Sequence, residues 1–507
     1  MKLLVFPHQL FDPSILKKTG CTHIHLVEHT LFYGNRKYKY IAETKSKSPK
    51  AIPMKFNKRK LVFHRATMLV FLDECKKAGL PITFHEKVDS MNDMKKPLVG
   101  KSKVSLASIE SFDIAYFDPV DHELQSELNS SFPTATRLET PYFLFTTPQL
   151  MEYLGDKAPT SLSHSGFYTH SLNVNNIPYI KKSYDTENRG TFAVKDVPPM
   201  DYDVYENKYL EKAVKWVEKE YPNNPGSVEN MWIPMMRSGA KHQLKEFLKT
   251  DLKNFGKYQD AMVIQRPFLY HSRLSALLNV GLLTPREVVD ETVSYYKKHR
   301  TKIPIASFEG FIRQVAGWRE YERLIYVSLY PDMVMSNILK NKGKLTNEWY
   351  TRDEKKYLTP LNDAIDQAWE YGYLHHIYRL MVVANGMNLM GVEPYEAYRW
   401  FMEFAVDSYD WVMIGNVYSM GMWADGGKTM RKPYISSNAY IEKMSIGYDD
   451  DWGKYWRGLF YNFLQKHEKV IGKTVYARNL GTYKKMGAVE KRDIKKNARE
   501  VITYYVK

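Results

Sequence analysis

Val62-Phe-His-Arg-Ala-Thr-Met-Leu-Val-Phe-Leu-Asp-Glu-Cys-Lys-Lys-Ala-Gly-Leu-Pro-Ile-Thr-Phe-His85 reads as a helix that runs into a strand. Phe63, Leu69, Leu72 and Cys75 recur at helical spacing up to Lys77, Gly79 ends the turn, and Ile82 to His85 restarts as a short apolar run. Working outward, Leu3 to Phe6, His23 to Val27 and Asp113 to Phe117 are runs of the same kind. Short apolar runs alternating with helical segments mark strands paired in parallel through crossover helices. The spacing therefore predicts an α/β N-terminal domain with a parallel, Rossmann-like sheet over residues 1–130. Between the second run and the helix, Asn35 to Lys60 carries ten Lys or Arg against one acid, Glu43, and is expected to be an exposed loop.

Beyond this domain the pattern changes twice. Residues 131–200 are rich in Pro, Ser, Asn and Thr with scattered aromatics, which predicts an interdomain linker. From Tyr202 strand signals nearly vanish, so residues 201–507 are expected to form a large all-α domain.

Composition narrows the function. Of 507 residues, 44% are hydrophobic and 26% charged, a globular balance. Lys and Arg number 73 against 57 acids, and the resulting net charge of +16 favours a polyanionic partner, nucleic acid ahead of a membrane surface. The opening Met-Lys-Leu-Leu-Val-Phe is stopped at Pro7, and no other stretch reaches membrane length, so a soluble intracellular protein without a membrane partner is expected. Cys21 and Cys75, the only cysteines, cannot supply a zinc site or a four-cysteine cluster.

Four later segments carry chemistry. In His271 to Pro285, Ser272 and Ser275 stand at a helix opening suited to a diphosphate. In Ser307 to Tyr321, Ser307 is the expected N-cap, Phe308, Phe311, Ile312 and Val315 form the buried stripe, and Glu309, Arg313 and Arg319 project at other angles. In Gly372 to Asn385, His375 and His376 lie within one turn of Arg379. Pro394 opens a helix expected to run through Trp411, which would place Trp400 and Asp407 on one side, two turns apart. Each segment alone also has a structural reading: helix capping, surface ion pairs, a packed histidine pair, a core tryptophan.

Taken in order, together with Tyr184-Asp-Thr-Glu-Asn-Arg189, Gln259-Asp-Ala-Met262, Trp423-Ala-Asp-Gly-Gly427 and Lys432-Pro-Tyr434, these segments resemble the DNA photolyase and cryptochrome family. They look most like its bacterial (6-4) photolyases, the iron–sulfur branch. The resemblance implies FAD in the helical domain, with Ser272, Leu274 and Ser275 near its phosphates and Glu309, Arg313, Arg379, Asp407 and Asn416 around the ring and ribityl chain. It implies Trp400 in electron transfer, and light-driven repair of UV-damaged DNA by a monomer. The lesion is expected to be the (6-4) photoproduct, with His376 as proton donor beside His375, and with Asp260, Tyr434 and Tyr440 lining the lesion pocket. The alternatives are cyclobutane-dimer repair, a blue-light receptor without repair activity, and a basic nucleic-acid-binding scaffold.

Two departures from the family pattern stand out. No cysteine follows Cys75, so no iron–sulfur cluster is expected, with Tyr448, Trp452, Tyr455 and Trp456 filling its space. Met413 falls where the relatives place a glutamate near the flavin, and Phe401 replaces the aromatic hydroxyl that often follows Trp400. A ribityl-lumazine-type antenna in the α/β domain is a candidate second chromophore, with Glu28 as its contact.

Overall fold

The computed structural model describes residues 1–36, 52–95, 113–157, 162–188, 190, 192–352, 355–430, 432–448 and 451–507. Most of the basic run from Asn35 to Lys60, residues 37–51, lies outside the described residues.

Five parallel strands form the N-terminal sheet: β1 Lys2–Val5, β2 His23–His29, β3 Ile82–Val88, β4 Ile114–Phe117 and β5 Thr136–Leu138, in the order β3-β2-β1-β4-β5. Leu3 pairs with Ile24 on one side and Ala115 on the other. Leu3, Leu4 and Val5 are fully buried, as a central strand covered on both faces requires. The fifth strand lies past residue 130, where the linker was expected to begin. Thr136 and Arg137 are exposed on this edge, so no apolar alternation marks it in the sequence.

The helix read from Val62 begins one turn earlier and spans Lys58–Lys77, with the Asn57 side chain accepting from the Arg59 N–H. Arg59 and Lys60 are buried within it, because this end docks on the helical half. Arg59 donates to the carbonyls of Glu229 (2.6 Å), Asn230 (3.2 Å) and Glu370 (2.8 Å). Lys60 Nζ donates to those of Met402 (2.9 Å) and Ser408 (2.8 Å). Arg36 joins Asp121 (3.0 Å) and Asp410 (3.5 Å), and Arg323 reaches back from the helical half to Asp118 (3.4 Å).

The linker segment contains helices at Thr147–Leu154, closed by a Thr146–Gln149 capping box, and at His164–Val174. Beyond it, strands are reduced to the two-residue pair Met262–Val263 with Ser445–Ile446, and helices dominate. Among the described residues no helix is long and apolar enough to cross a membrane.

Two local expectations fail. Ser307 is not an N-cap: the helix is Ile305–Ile312, and the Ser307 hydroxyl donates to the Lys253 carbonyl (3.1 Å) while accepting from the Gly256 N–H (3.1 Å). The helix opened by Pro394 stops at Phe404, where Ala405 turns to extended backbone, so Trp400 and Asp407 do not share a helix face. A new helix, Asp410–Met413, follows.

Candidate functional site

Three π-helical turns, Arg313–Trp318, Tyr378–Ala384 and Ile414–Gly421, contribute walls to one cavity of about 940 Å³. Such turns widen the helix by a residue and redirect side chains, which is why they gather at functional sites.

On one wall Arg379 and Asp407 pair through both guanidinium arms, at 2.9 and 3.1 Å. The loop after Phe404 is held in place for this. Lys60 binds the Ser408 carbonyl, Asn279 Nδ2 donates to the Asp407 carbonyl (2.7 Å), and the Val406 N–H donates to the Gly372 carbonyl (2.9 Å). Arg379 Nε is fixed on the Leu374 carbonyl at 2.6 Å.

Next to this pair the His375 ring lies flat on His271, with centroids 4.4 Å apart at 10°. Burial, reinforced by the neighbouring rings, holds His375 well below the usual histidine range, and burial pushes His271 down to about 3, so both rings are neutral. Among the described residues neither nitrogen of His375 has a hydrogen-bond partner. His376 is half-exposed, and its Nε2 lies 3.3 Å from Oδ1 of the buried Asp260. One ring nitrogen of each histidine lies within 4.8 Å of the others, and both His271 nitrogens also lie 3.1 Å from backbone carbonyls, those of Phe268 and Gln259.

The cavity gathers most of the residues expected at the site. Ser272, Leu274, Ser275, Arg313, Arg379, Asp407, Met413 and Asn416 line it, as do Asp260, His375, His376, Tyr434 and Tyr440. Glu309 and Trp400 stand outside the lining. Glu309 is fully buried behind Arg313 (3.4 Å), which also pairs with Asp185 (2.8 Å). Trp400 Nε1 donates to the Trp349 carbonyl (3.1 Å), and its ring stacks on Phe404, while Phe401 faces the cavity.

Arg319, noted in the sequence as a projecting charge, also lines the cavity, and His164 and Glu322 were not singled out from the sequence. His164 stacks on Trp318 at 3.7 Å, Arg319 donates to Asn279 Oδ1 (2.5 Å) and covers the Trp411 ring, and Glu322 completes that wall. The sequence carries little signal for Glu322, which stands in the charged run Arg319-Glu-Tyr-Glu-Arg323.

Elsewhere, Glu28 is engaged by Arg65 (2.7 Å) and the Lys87 N–H (3.1 Å). Near Met444, the Tyr448 hydroxyl contacts Asp363 (2.6 Å) and Tyr378 (2.7 Å), and the buried Trp452 and Trp456 pack edge to face.

A parallel-sheet domain docked on a helical domain that encloses a large cavity is a photolyase-like architecture. An archaeal photolyase from Sulfolobus tokodaii, solved with two FAD molecules, has this fold: TM-score 0.50, 13% identity, covering 98% of this chain and 99% of that one. Residues 3–232 match the family model of deoxyribodipyrimidine photo-lyase-related proteins. A (6-4) photolyase of Agrobacterium fabrum is 29% identical over 465 residues, spanning 87% of this chain and 90% of the relative. A 95-residue stretch is 52% identical to an uncharacterised protein, R855, of Acanthamoeba polyphaga mimivirus, covering 18% of this chain and 77% of that protein. The chain thus has the photolyase-like fold and is similar over most of its length to a (6-4) photolyase.

Proposed function

We propose that the cavity binds FAD and that the protein uses blue light to repair UV-damaged DNA, the (6-4) photoproduct being the lesion the site suits best. The observation that carries this reading is the grouping, on one cavity, of the Arg379–Asp407 pair with a half-exposed His376 hydrogen-bonded to Asp260.

The residues fit the cofactor. The volume lies at the upper end of the roughly 300–1,000 Å³ typical of ligand pockets. Arg313 and Arg379 supply positive charge, Ser272 and Ser275 supply hydroxyl groups, and buried polar atoms of His375 and Trp411 have no partner among the described residues. In this reading Ser272, Leu274 and Ser275 border the phosphates, Arg313 is steadied from behind by Glu309, and Arg379, Asp407, Met413 and Asn416 surround the ring and ribityl chain. Bound FAD supplies the light-excited electron donor.

The chain's own groups do the rest. Asp260 orients the His376 ring so that it presents a proton to a base standing in the cavity. Keeping His375 and His271 neutral avoids a second positive charge beside it. Tyr434 and Tyr440, both partly exposed, border the space for an extruded nucleotide, and a lesion that stacks poorly lowers the cost of extrusion. The +16 charge draws in the phosphate backbone. The protein acts as a monomer without an iron–sulfur cluster, and a ribityl-lumazine-type antenna is a further candidate cofactor.

The test is light-dependent loss of (6-4) lesions and of cyclobutane dimers from separate irradiated oligonucleotides. Loss of (6-4) lesions in light, and none in the dark, is expected. Repair confined to dimers would overturn the lesion assignment, and repair of neither by a flavin-loaded protein would favour a light receptor.

A further inference from the structure

Glu320 and Glu322 sit two residues apart on the helix Arg319–Leu329, equally sheltered from water. Glu320 is matched: its oxygens accept from the N–H groups of Leu144 (2.8 Å) and Phe145 (3.3 Å). Glu322 is not. Neither of its oxygens has a hydrogen-bond partner among the described residues.

The position of this carboxyl is closely defined. It rests on the π-helical turn Ile414–Gly421 at Gly415, where a Cβ would stand only 1.8 Å from Oε2, so the backbone comes this close only because residue 415 has no side chain. From there Glu322 lines the cavity together with Met413, Asn416 and Val417. An isolated carboxylate in such surroundings costs far more than a neutral acid, and the group resolves this by keeping its proton. Burial alone pushes Glu322 up to about 8.

We propose that Glu322 is the proton-holding acid of the cofactor cavity: a neutral carboxylic acid that hydrogen-bonds to the bound flavin ring and passes its proton there when negative charge arrives. This rests on the flavin reading above. In the transfer an external thiol reductant gives an electron to the light-excited ring, a Glu322 O–H bond breaks, an N–H bond forms on the ring, and a carboxylate remains that regains its proton from water on the open side of the cavity.

The neighbouring charges leave Glu322 to titrate on its own. On its own helix, Arg319 is committed to Asn279 and the Tyr142 carbonyl, and Arg323 to Phe145, Thr147 and Asp118. From the elements packed against it come Tyr418, Asp410, held by Tyr326 and Tyr398, and His164, which burial keeps neutral. Arg313, Arg379 and Asp407 line the cavity but pair with Asp185, Glu309 and one another.

The experiment is infrared spectroscopy of the full chain, with and without FAD, at neutral pH, comparing Glu322→Gln with the parent. Expected is the loss in the variant of one protonated-carboxyl stretch, present in the parent with or without FAD. On illumination with an added thiol as electron donor the FAD-loaded parent loses that same band, and proton uptake by its flavin, followed by absorbance, is roughly 10²-fold faster than in the variant. Glu322→Leu is the second variant should the amide disturb folding. A folded variant that keeps every protonated-carboxyl band, or takes up the proton at the parent rate, overturns the proposal. A chain that binds no FAD defeats the flavin reading, while the band without FAD still reports whether Glu322 holds its proton.

Discussion

The junction between sheet and helical half and the cavity both bury charged groups, but the two treat them differently. At the junction Arg36, Arg59, Lys60 and Arg323 each find at least two acceptors, so burial is offset by hydrogen bonds and the groups act as rivets. Around the cavity His375 and Glu322 have no partner among the described residues. Buried charge held by several acceptors specifies how two domains dock; a carboxyl or imidazole left wholly without a partner on a cavity wall is a place for a ligand's polar atoms.

The contrast can be attacked from both sides. The largest effect is expected at the cavity mouth: His376→Ala lowers (6-4) repair by roughly 10²–10⁴-fold, the range for a lost general acid, while flavin stays bound. Repair turnover in the variant equal to the parent's removes His376 as proton donor. At the junction, Arg36→Met leaves Asp121 and Asp410 without their shared cation, and loss of one side of a buried pair costs about 3–5 kcal/mol. Denaturant titration measures it, and a cost below about 1 kcal/mol would mean the junction charges are not rivets.

A smaller, pH-dependent effect separates Glu322 from them. Its carboxyl titrates near 4.5 when unfolded and near 8 when folded, so between those values the unfolded chain holds fewer protons and stability falls as pH rises. Glu322→Gln removes that loss. Its stability relative to the parent should rise through this window and level off above it, read from denaturation midpoints at stepped pH; a flat difference contradicts an unpartnered acid. Smallest is Lys432→Ala at the cavity rim, expected to weaken DNA binding evenly across sequences and to reduce the slope of log affinity against log salt by about 1.

How far the sequence carries depends on what each feature rests on. The β1, β2 and β4 strands were legible as continuous apolar runs because both faces of the sheet are covered, and the helix Lys58–Lys77 because Phe63, Leu69, Leu72 and Cys75 keep helical spacing. The edge strand Thr136–Leu138 was not, since its exposed residues carry no such period. Arg379, Asp407 and the histidine pair were legible through the order of segments rather than through spacing. The helix that was to align Trp400 with Asp407 breaks at Ala405, where the loop's tertiary bonds to Lys60, Asn279 and Gly372 outweigh helical continuation. Glu322 became meaningful only once Gly415, 93 positions away, came to lie against it.

Whether the cavity binds FAD is read most directly from the flavin content of the purified protein. The account predicts a yellow protein that, on denaturation, releases FAD at about one per cavity, with uptake blocked when Asn416 or Ser275 is enlarged to Trp. A colourless, folded chain that takes up no FAD on reconstitution would contradict it.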